Sequence, residues 1–246
     1  MSVIEPVLIF YFALVAVAFF YASVGHGGAS GYLALMAIFN MAPDVMRPTA
    51  LVLNIFVSLI AFIQFYKARH FTWKLFLPLA AASIPMSFIG GLISLDQDLY
   101  KKILGVLLLF AVLRFFGFRK NEETDRKTYS TVIAILIGGI IGLLSGMIGI
   151  GGGIILSPVL LLLKWTNLKQ TAAISALFIF VNSLAGLAGQ LYQGLEFSTN
   201  MYALVAIAMV GGMAGSYFGA HKFNQLILKR VLAGVLFIAV IKLLTI

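Results

Sequence analysis

Four glycines in five positions, Gly149-Ile150-Gly151-Gly152-Gly153, interrupt an apolar run that otherwise extends from Ser130 to Leu163. Glycine gives up more backbone freedom on ordering than any other residue, so a helix is expected to break there. Broken backbone inside such a run leaves N–H and C=O groups that lipid cannot satisfy. Protein, water or a bound solute must do so. A second run, Gly25-His26-Gly27-Gly28-Ala29-Ser30-Gly31, interrupts the N-terminal apolar segment in the same way. One break in each half of a chain is the pattern of a transporter site built where discontinuous helices meet. Close packing of small residues between helices is the other use of such glycines.

The surroundings of the breaks set the class. Of the 246 residues 62% are apolar and 10% charged, against roughly 45–50% and about 25% in soluble domains. The apolar runs are long and lack the alternation of a barrel strand, so the chain reads as an all-α polytopic membrane protein. The net charge of +9 does not point to nucleic acid, because Lys and Arg lie in short loops between apolar runs, where they set topology. With no cysteine, disulfides and thiol chemistry are excluded. No cofactor is expected, and no metal site. The N-terminus has no basic n-region and reads as a retained span.

Ten apolar segments follow: Ile4–Val24, Ala29–Asn40, Thr49–Tyr66, Leu75–Leu95, Ile103–Phe118, Ser130–Ser145, Ile154–Leu163, Thr171–Gln190, Met201–Ala220 and Val231–Ile246. Pro43 and Pro48 bracket an expected loop, and Asp96–Lys102 and Lys164–Gln170 are two more. The ninth segment carries a glycine face, Gly211, Gly212, Gly215 and Gly219, suited to close helix contact. The polar stretch Arg119–Tyr129 divides the chain into a first repeat (1–118), a linker (119–129) and a second repeat (130–246). Four motifs recur in the same order. Gly25–Ala29 matches Gly149–Gly153, and Arg47-Pro48-Thr49-Ala50 matches Lys169-Gln170-Thr171-Ala172. Ser87–Gly90 matches Ser216–Gly219, and Lys101–Leu104 matches Lys229–Leu232.

Parity decides the relation between the halves. If each break lies within a single crossing, the 17 Lys and Arg divide 9 against 8 between the two sides. If each break joins a hairpin, spanning or re-entrant, they divide 13 against 4. The positive-inside tendency selects the second arrangement. It makes the chain two inverted repeats of five hydrophobic segments, each with a glycine-broken helical hairpin. Both termini then lie outside the cytoplasm and the linker inside.

The chemistry at the breaks points to an anion. Short helices beginning there would aim free N–H groups and positive dipole ends at a cavity. All eight Asp and Glu fall in loops or at segment ends, which disfavours a cation site. No catalytic constellation sits at membrane depth, so an enzyme is not expected. The candidate substrate-binding residues are Gly25, His26, Gly27, Gly28, Ser30, Asn54, Gly149, Gly151, Gly152, Gly153, Ser175, Asn182 and Gln190. His26 either donates to the anion or carries a proton, or is bonded to a neighbouring carbonyl. Arg47 and Lys169 either attract the anion at the two mouths or anchor helices at the interface. The buried amides also suit helix-to-helix hydrogen bonds.

At these residues the chain resembles the TauE/SafE (sulfite exporter, TSUP) family. The features are Gly149-x-Gly151-Gly152-Gly153 with Pro158 after it, the copy at Gly25–Gly31 with Ala29 in the third glycine position, and Thr171…Asn182-Ser183…Gly186. The resemblance spans both halves. It implies a secondary transporter of small sulfur-containing anions, sulfite or organosulfonates, in a prokaryotic inner membrane. An anion channel and a carrier of a non-sulfur organic anion are the alternatives. The partners expected are the small anion and the bilayer. A coupling ion such as a proton, and a homo-oligomer, are open to such a carrier.

Overall fold

A computed structural model describes residues 4–23, 27–116, 127–195 and 200–221, with 237, 240 and 241. Among the described residues every regular element is an α-helix: α1 (Ile4–Ser23), α2 (Ala29–Ile38), α3 (Pro43–Lys67), α4 (Trp73–Leu92), α5 (Gln97–Phe116), α6 (Thr131–Ile148), α7 (Gly153–Leu162), α8 (Leu168–Tyr192) and α9 (Asn200–His221). Of these, α3, α4, α6 and α8 are long and apolar enough to cross a bilayer. The order long, short, long, long occurs twice, in α1 to α4 and in α6 to α9. Most of the linker and of the expected last segment lie outside the described residues.

Three expected loops are partly helix. Pro43 and Pro48 do not bracket a loop, because α3 begins at Pro43 after the extended Ala42. Proline at the first helical position lacks an N–H that would have no acceptor there anyway. Helix α5 starts at Gln97, before its apolar run, because the Asp96 carboxylate accepts from the N–H groups of Asp98 (3.0 Å) and Leu99 (2.9 Å). Helix α8 starts at Leu168 because Asn167 and Gln170 cap each other's backbone, at 2.8 and 3.3 Å. Capping chemistry sets these starts, and apolarity alone does not register it.

Both short helices fold back along the helix before them. In the first pair, Phe39 after α2 meets Phe10 of α1 with ring centroids 5.1 Å apart, while Ser30 at the start of α2 reaches Tyr21 near the end of α1. In the second, Trp165 after α7 packs 6.1 Å from Tyr129 before α6, and the Lys127 N–H donates to the Lys164 carbonyl at 3.1 Å. A broken crossing that continued in one direction would separate these ends by the length of both helices. The glycines themselves make the reversal. Gly149, Gly151 and Gly152 hold φ of 86°, 70° and 78°, the left-handed region that side chains avoid. Gly152 returns to the level of Ile141, where an added Cβ would stand 2.8 Å from the Ile141 side chain. That is seven residues, about 10 Å, back from the end of α6. Helix α7 therefore starts beside the middle of α6.

The halves exchange partners. Helix α4 packs on α6, and α9 packs on α1. Gly138, Gly142 and Gly146 of α6 lie so close to the carbonyls of Leu79, Ser83 and Ser87 that a Cβ at any of them would overlap α4 backbone. Gly211 and Gly215 of α9 meet Val15 and Phe19 of α1 in the same way, and Gly212 packs on Val57. This is the close contact expected of that glycine face. Between the two pairs, α3 and α8 cross against each other. The apolar window of α8 is 78% buried, so its polar side chains face protein.

Candidate functional site

The N-termini of α2 and α7 are buried and carry no side-chain cap. Their N-cap residues, Gly28 (φ 95°) and Gly152 (φ 78°), are both left-handed glycines. Ser130 caps α6 and Asn167 caps α8, while α3 and α4, which also lack a side-chain cap, start beside exposed residues such as Asp44 and Trp73. The first N–H groups of a helix have no intrahelical acceptor, and they carry its positive dipole end.

The two breaks converge on one pair of side chains. A Cβ at Gly27 would lie 2.9 Å from Ile179 Cγ2, 3.0 Å from Asn54 Oδ1 and 3.3 Å from Ser58 Cβ. A Cβ at Gly151 would lie 2.6 Å from Asn54 Nδ2, 2.8 Å from Ile179 Cγ2 and 3.0 Å from Ser183 Oγ. The match is positional as well. Asn54 and Ile179 are each the twelfth residue of their helices, Ser58 and Ser183 each the sixteenth. Asn54 is fully buried, yet among the described residues neither its Nδ2 nor its Oδ1 has a hydrogen-bond partner, and the Ser58 and Ser183 hydroxyls are likewise unpaired there. A buried polar group left unsatisfied costs about 1–3 kcal/mol. Several of them at one point mark a place shaped for a polar guest rather than for packing.

A cavity of about 10 Å³ adjoins this point and shares Gly27 and Ile179 with it. Its wall from the first half includes Tyr21, Gly28 and Ser30, and its wall from the second is Ile150, Ile154 and Ile179. The Ser30 hydroxyl donates to the Tyr21 oxygen at 2.8 Å, which leaves the Tyr21 proton for another acceptor. The buried Tyr32 hydroxyl has no partner among the described residues, and its ring lies against Gly28. Uncapped helix ends, an unpaired amide and free hydroxyls together form a neutral, donor-rich recess between the halves.

The model of the family described as "Sulfite exporter TauE/SafE" matches residues 9–243. The chain belongs to the TauE/SafE family. This transporter is 35% identical over 239 residues to "Probable membrane transporter protein y4hK" of Sinorhizobium fredii, covering 93% of this chain and 96% of the relative. It is 27% identical over 223 residues to "Probable membrane transporter protein YdhB" of Bacillus subtilis, covering 87% and 89%. No solved structure matches it.

Of the residues picked out from the sequence, the transporter brings Gly27, Gly28, Ser30, Asn54 and Gly151 together. Gly25 and His26 lie outside the described residues. Gly152 stands in the same turn, but a Cβ there would meet Ile141 and Phe178 in an apolar core. Gly153 packs on Ile179. Ser175 is 2.9 Å from Ser157, whose hydroxyl donates to the Gly153 carbonyl. This is a tie between α7 and α8. Asn182 donates to Ser83 at 3.1 Å and to the Phe178 carbonyl at 2.8 Å, joining α8 to α4. Gln190 is buried, with its Nε2 unpaired, seven residues beyond Ser183.

Gly149 caps the C-terminus of α6 and lies against the Arg47 backbone. The Arg47 guanidinium donates to the Ile93 carbonyl at 3.1 Å. It lies near the negative end of α6, where a cation is favourable. Lys169, the second residue of α8, is exposed. Tyr21, Tyr32 and Ile179 were not picked out from the sequence. The tyrosines had one signal, a hydroxyl three residues from the segment end on either side of the glycine break. Ile179 had none, since only the register of α8 on α3 places it opposite Asn54.

Proposed function

We propose that this transporter binds a small sulfur oxyanion, sulfite or an organosulfonate, at Gly27, Gly28, Ser30, Asn54 and Gly151, and carries it by alternating access without a catalytic step. The observation that carries the reading is the buried, unpaired Asn54 amide held between two uncapped helix N-termini. The Asn54 Nδ2, the Ser58 and Ser183 hydroxyls and the free N–H groups of the breaks are donors for an anion's oxygens. They are neutral dipoles, a holding force compatible with release. A cavity of about 10 Å³ is the room one water needs, so a substrate-bound state has the breaks further apart.

The two hairpins support an odd number of crossings per half. With residues 1–118 and 130–246 as inverted repeats and 119–129 as a cytoplasmic linker, the 13 to 4 division of Lys and Arg follows. Both termini then face outward from a prokaryotic inner membrane. The exchange of α4 on α6 for α9 on α1 is consistent with a two-fold relation passing near Asn54 and Ile179.

The test is a thermal-shift panel on purified protein with sulfite, sulfate, thiosulfate, sulfoacetate, isethionate, taurine and acetate. A ligand of the native state raises apparent stability by mass action. Stabilisation by sulfur oxyanions that disappears in Asn54→Leu is expected. Stabilisation that survives Asn54→Leu unchanged places the site elsewhere.

A further inference from the structure

We propose that Ile179 sets which anions the site accepts, favouring those that carry a short hydrocarbon arm over bare inorganic oxyanions. This rests on the site proposed above. The two-fold match between the halves shows what a symmetric site would contain. Gly27 and Gly151 each meet the side chains at 54 and 179, so an amide at both positions would surround a guest with donors. Here one position holds Asn54 and the other Ile179. The same asymmetry recurs at the second residue of each short helix, Ser30 in α2 and Ile154 in α7. The first half lends the cavity the Ser30 and Tyr21 hydroxyls, and the second lends three isoleucines, each at most 8% exposed.

A bare oxyanion presents acceptor oxygens on every side. Against the isoleucine wall those oxygens would be stripped of water and given no donor in return, a direct penalty on binding. An anion whose fourth substituent is carbon has no such conflict. Its oxygens turn to Asn54 and the helix N-termini, and its arm lies on Ile150, Ile154 and Ile179. Each methylene buried there is worth roughly fourfold in affinity. With the breaks further apart, as substrate binding requires, the three branched side chains are an apolar surface for an arm of a few carbons.

The experiment measures dissociation constants for full-length protein with two sets of probes. One is methane-, ethane- and propanesulfonate, and the other is sulfite and sulfate. Wild type is expected to gain about fourfold per methylene along the first set, and to bind ethanesulfonate at least tenfold more tightly than sulfate. Ile179→Asn should flatten the methylene series and narrow or reverse the preference. Ile179→Val should keep the order with smaller steps, and Ile154→Ser, which restores the serine of the first half, should act in the direction of Ile179→Asn. The conservative Ile179→Val and the separate site at Ile154→Ser keep the test decisive if Ile179→Asn folds poorly. Wild type binding sulfate as tightly as ethanesulfonate overturns the proposal, as does a preference that neither Ile179→Val nor Ile154→Ser alters. In those cases Asn54-dependent binding of sulfite would leave the site itself standing. Binding of both sets that is indifferent to Asn54→Leu would overturn the site and this inference together.

Discussion

Two asparagines at the centre of the transporter should respond in opposite ways to the same substitution. Asn54 and Asn182 are both fully buried on the crossing helices, and leucine replaces either with the same branching and the same number of heavy atoms, though with bulkier methyl ends. The Asn182 Nδ2 makes two hydrogen bonds, to Ser83 and to the Phe178 carbonyl. Side-chain hydrogen bonds within a bilayer are worth about 0.6 kcal/mol on average and up to about 1.7. Asn182→Leu also strands the buried Ser83 hydroxyl, while removing the unpaired Asn182 Oδ1 offsets part of the loss. The expected result is a destabilisation of about 1 kcal/mol with anion affinity unchanged. The Asn54 amide makes no hydrogen bond among the described residues, so Asn54→Leu removes two desolvated, unsatisfied atoms. The unliganded protein should become more stable by about 1–3 kcal/mol, a melting temperature a few degrees higher. Anion affinity should fall at least tenfold, since a hydrogen bond to a charged group is worth about 1.5–3 kcal/mol. Thermal unfolding in detergent, with and without sulfite or ethanesulfonate, reads both quantities. The reasoning is refuted if Asn54→Leu destabilises the unliganded protein as Asn182→Leu does and keeps its ligand-induced shift.

Gly151→Ala and Gly152→Ala share the strain of a left-handed backbone, about 1–2 kcal/mol, but their Cβ atoms point to Asn54 and to Phe178 respectively. Titration should find at least a tenfold loss of anion affinity in the first beyond that in the second, and equal losses would make the whole run a packing element. On α6, Gly139→Ala should be neutral or stabilising by up to about 1 kcal/mol, since its Cβ meets Ala82 and Met86 at 3.7 and 3.8 Å. Gly142→Ala, one turn on and against the Ser83 backbone, should lower the melting temperature and the yield of monodisperse protein. A reporter active only in the cytoplasm should work when inserted at Asn121 and be silent at the C-terminus. The reverse pattern would refute the inverted topology.

Much of this protein is legible before it folds. A chain so apolar must satisfy its backbone within helices, so composition alone determines the membrane class. The two densest glycine runs mark where helices stop, because the penalty on a helical glycine is local, whereas the spaced glycines of α6 and α9 stay helical and let neighbouring helices close in. The position of Lys and Arg between apolar runs chooses hairpins over broken crossings, and the ends of α6 and α7 meet as hairpin ends do. Helix starts at Gln97 and Leu168 were also written locally, in Asp96 and in Asn167 with Gln170, but in capping chemistry rather than in hydropathy.

The site is different. Helix α8 is apolar nearly all round and enclosed by protein, so no polar face in its sequence says which neighbour each side chain meets. Asn54 and Asn182 look alike in the chain, and only packing pairs the second with Ser83 and leaves the first alone between two glycine turns. The same holds for Ile179, an ordinary apolar residue until the crossing of α3 and α8 sets it opposite Asn54. Periodicity and composition are properties of a segment, and they record what a helix is made of. Which side chains a Cβ at Gly27 or Gly151 would meet depends on two other helices, α3 and α8, and that is decided only when they pack.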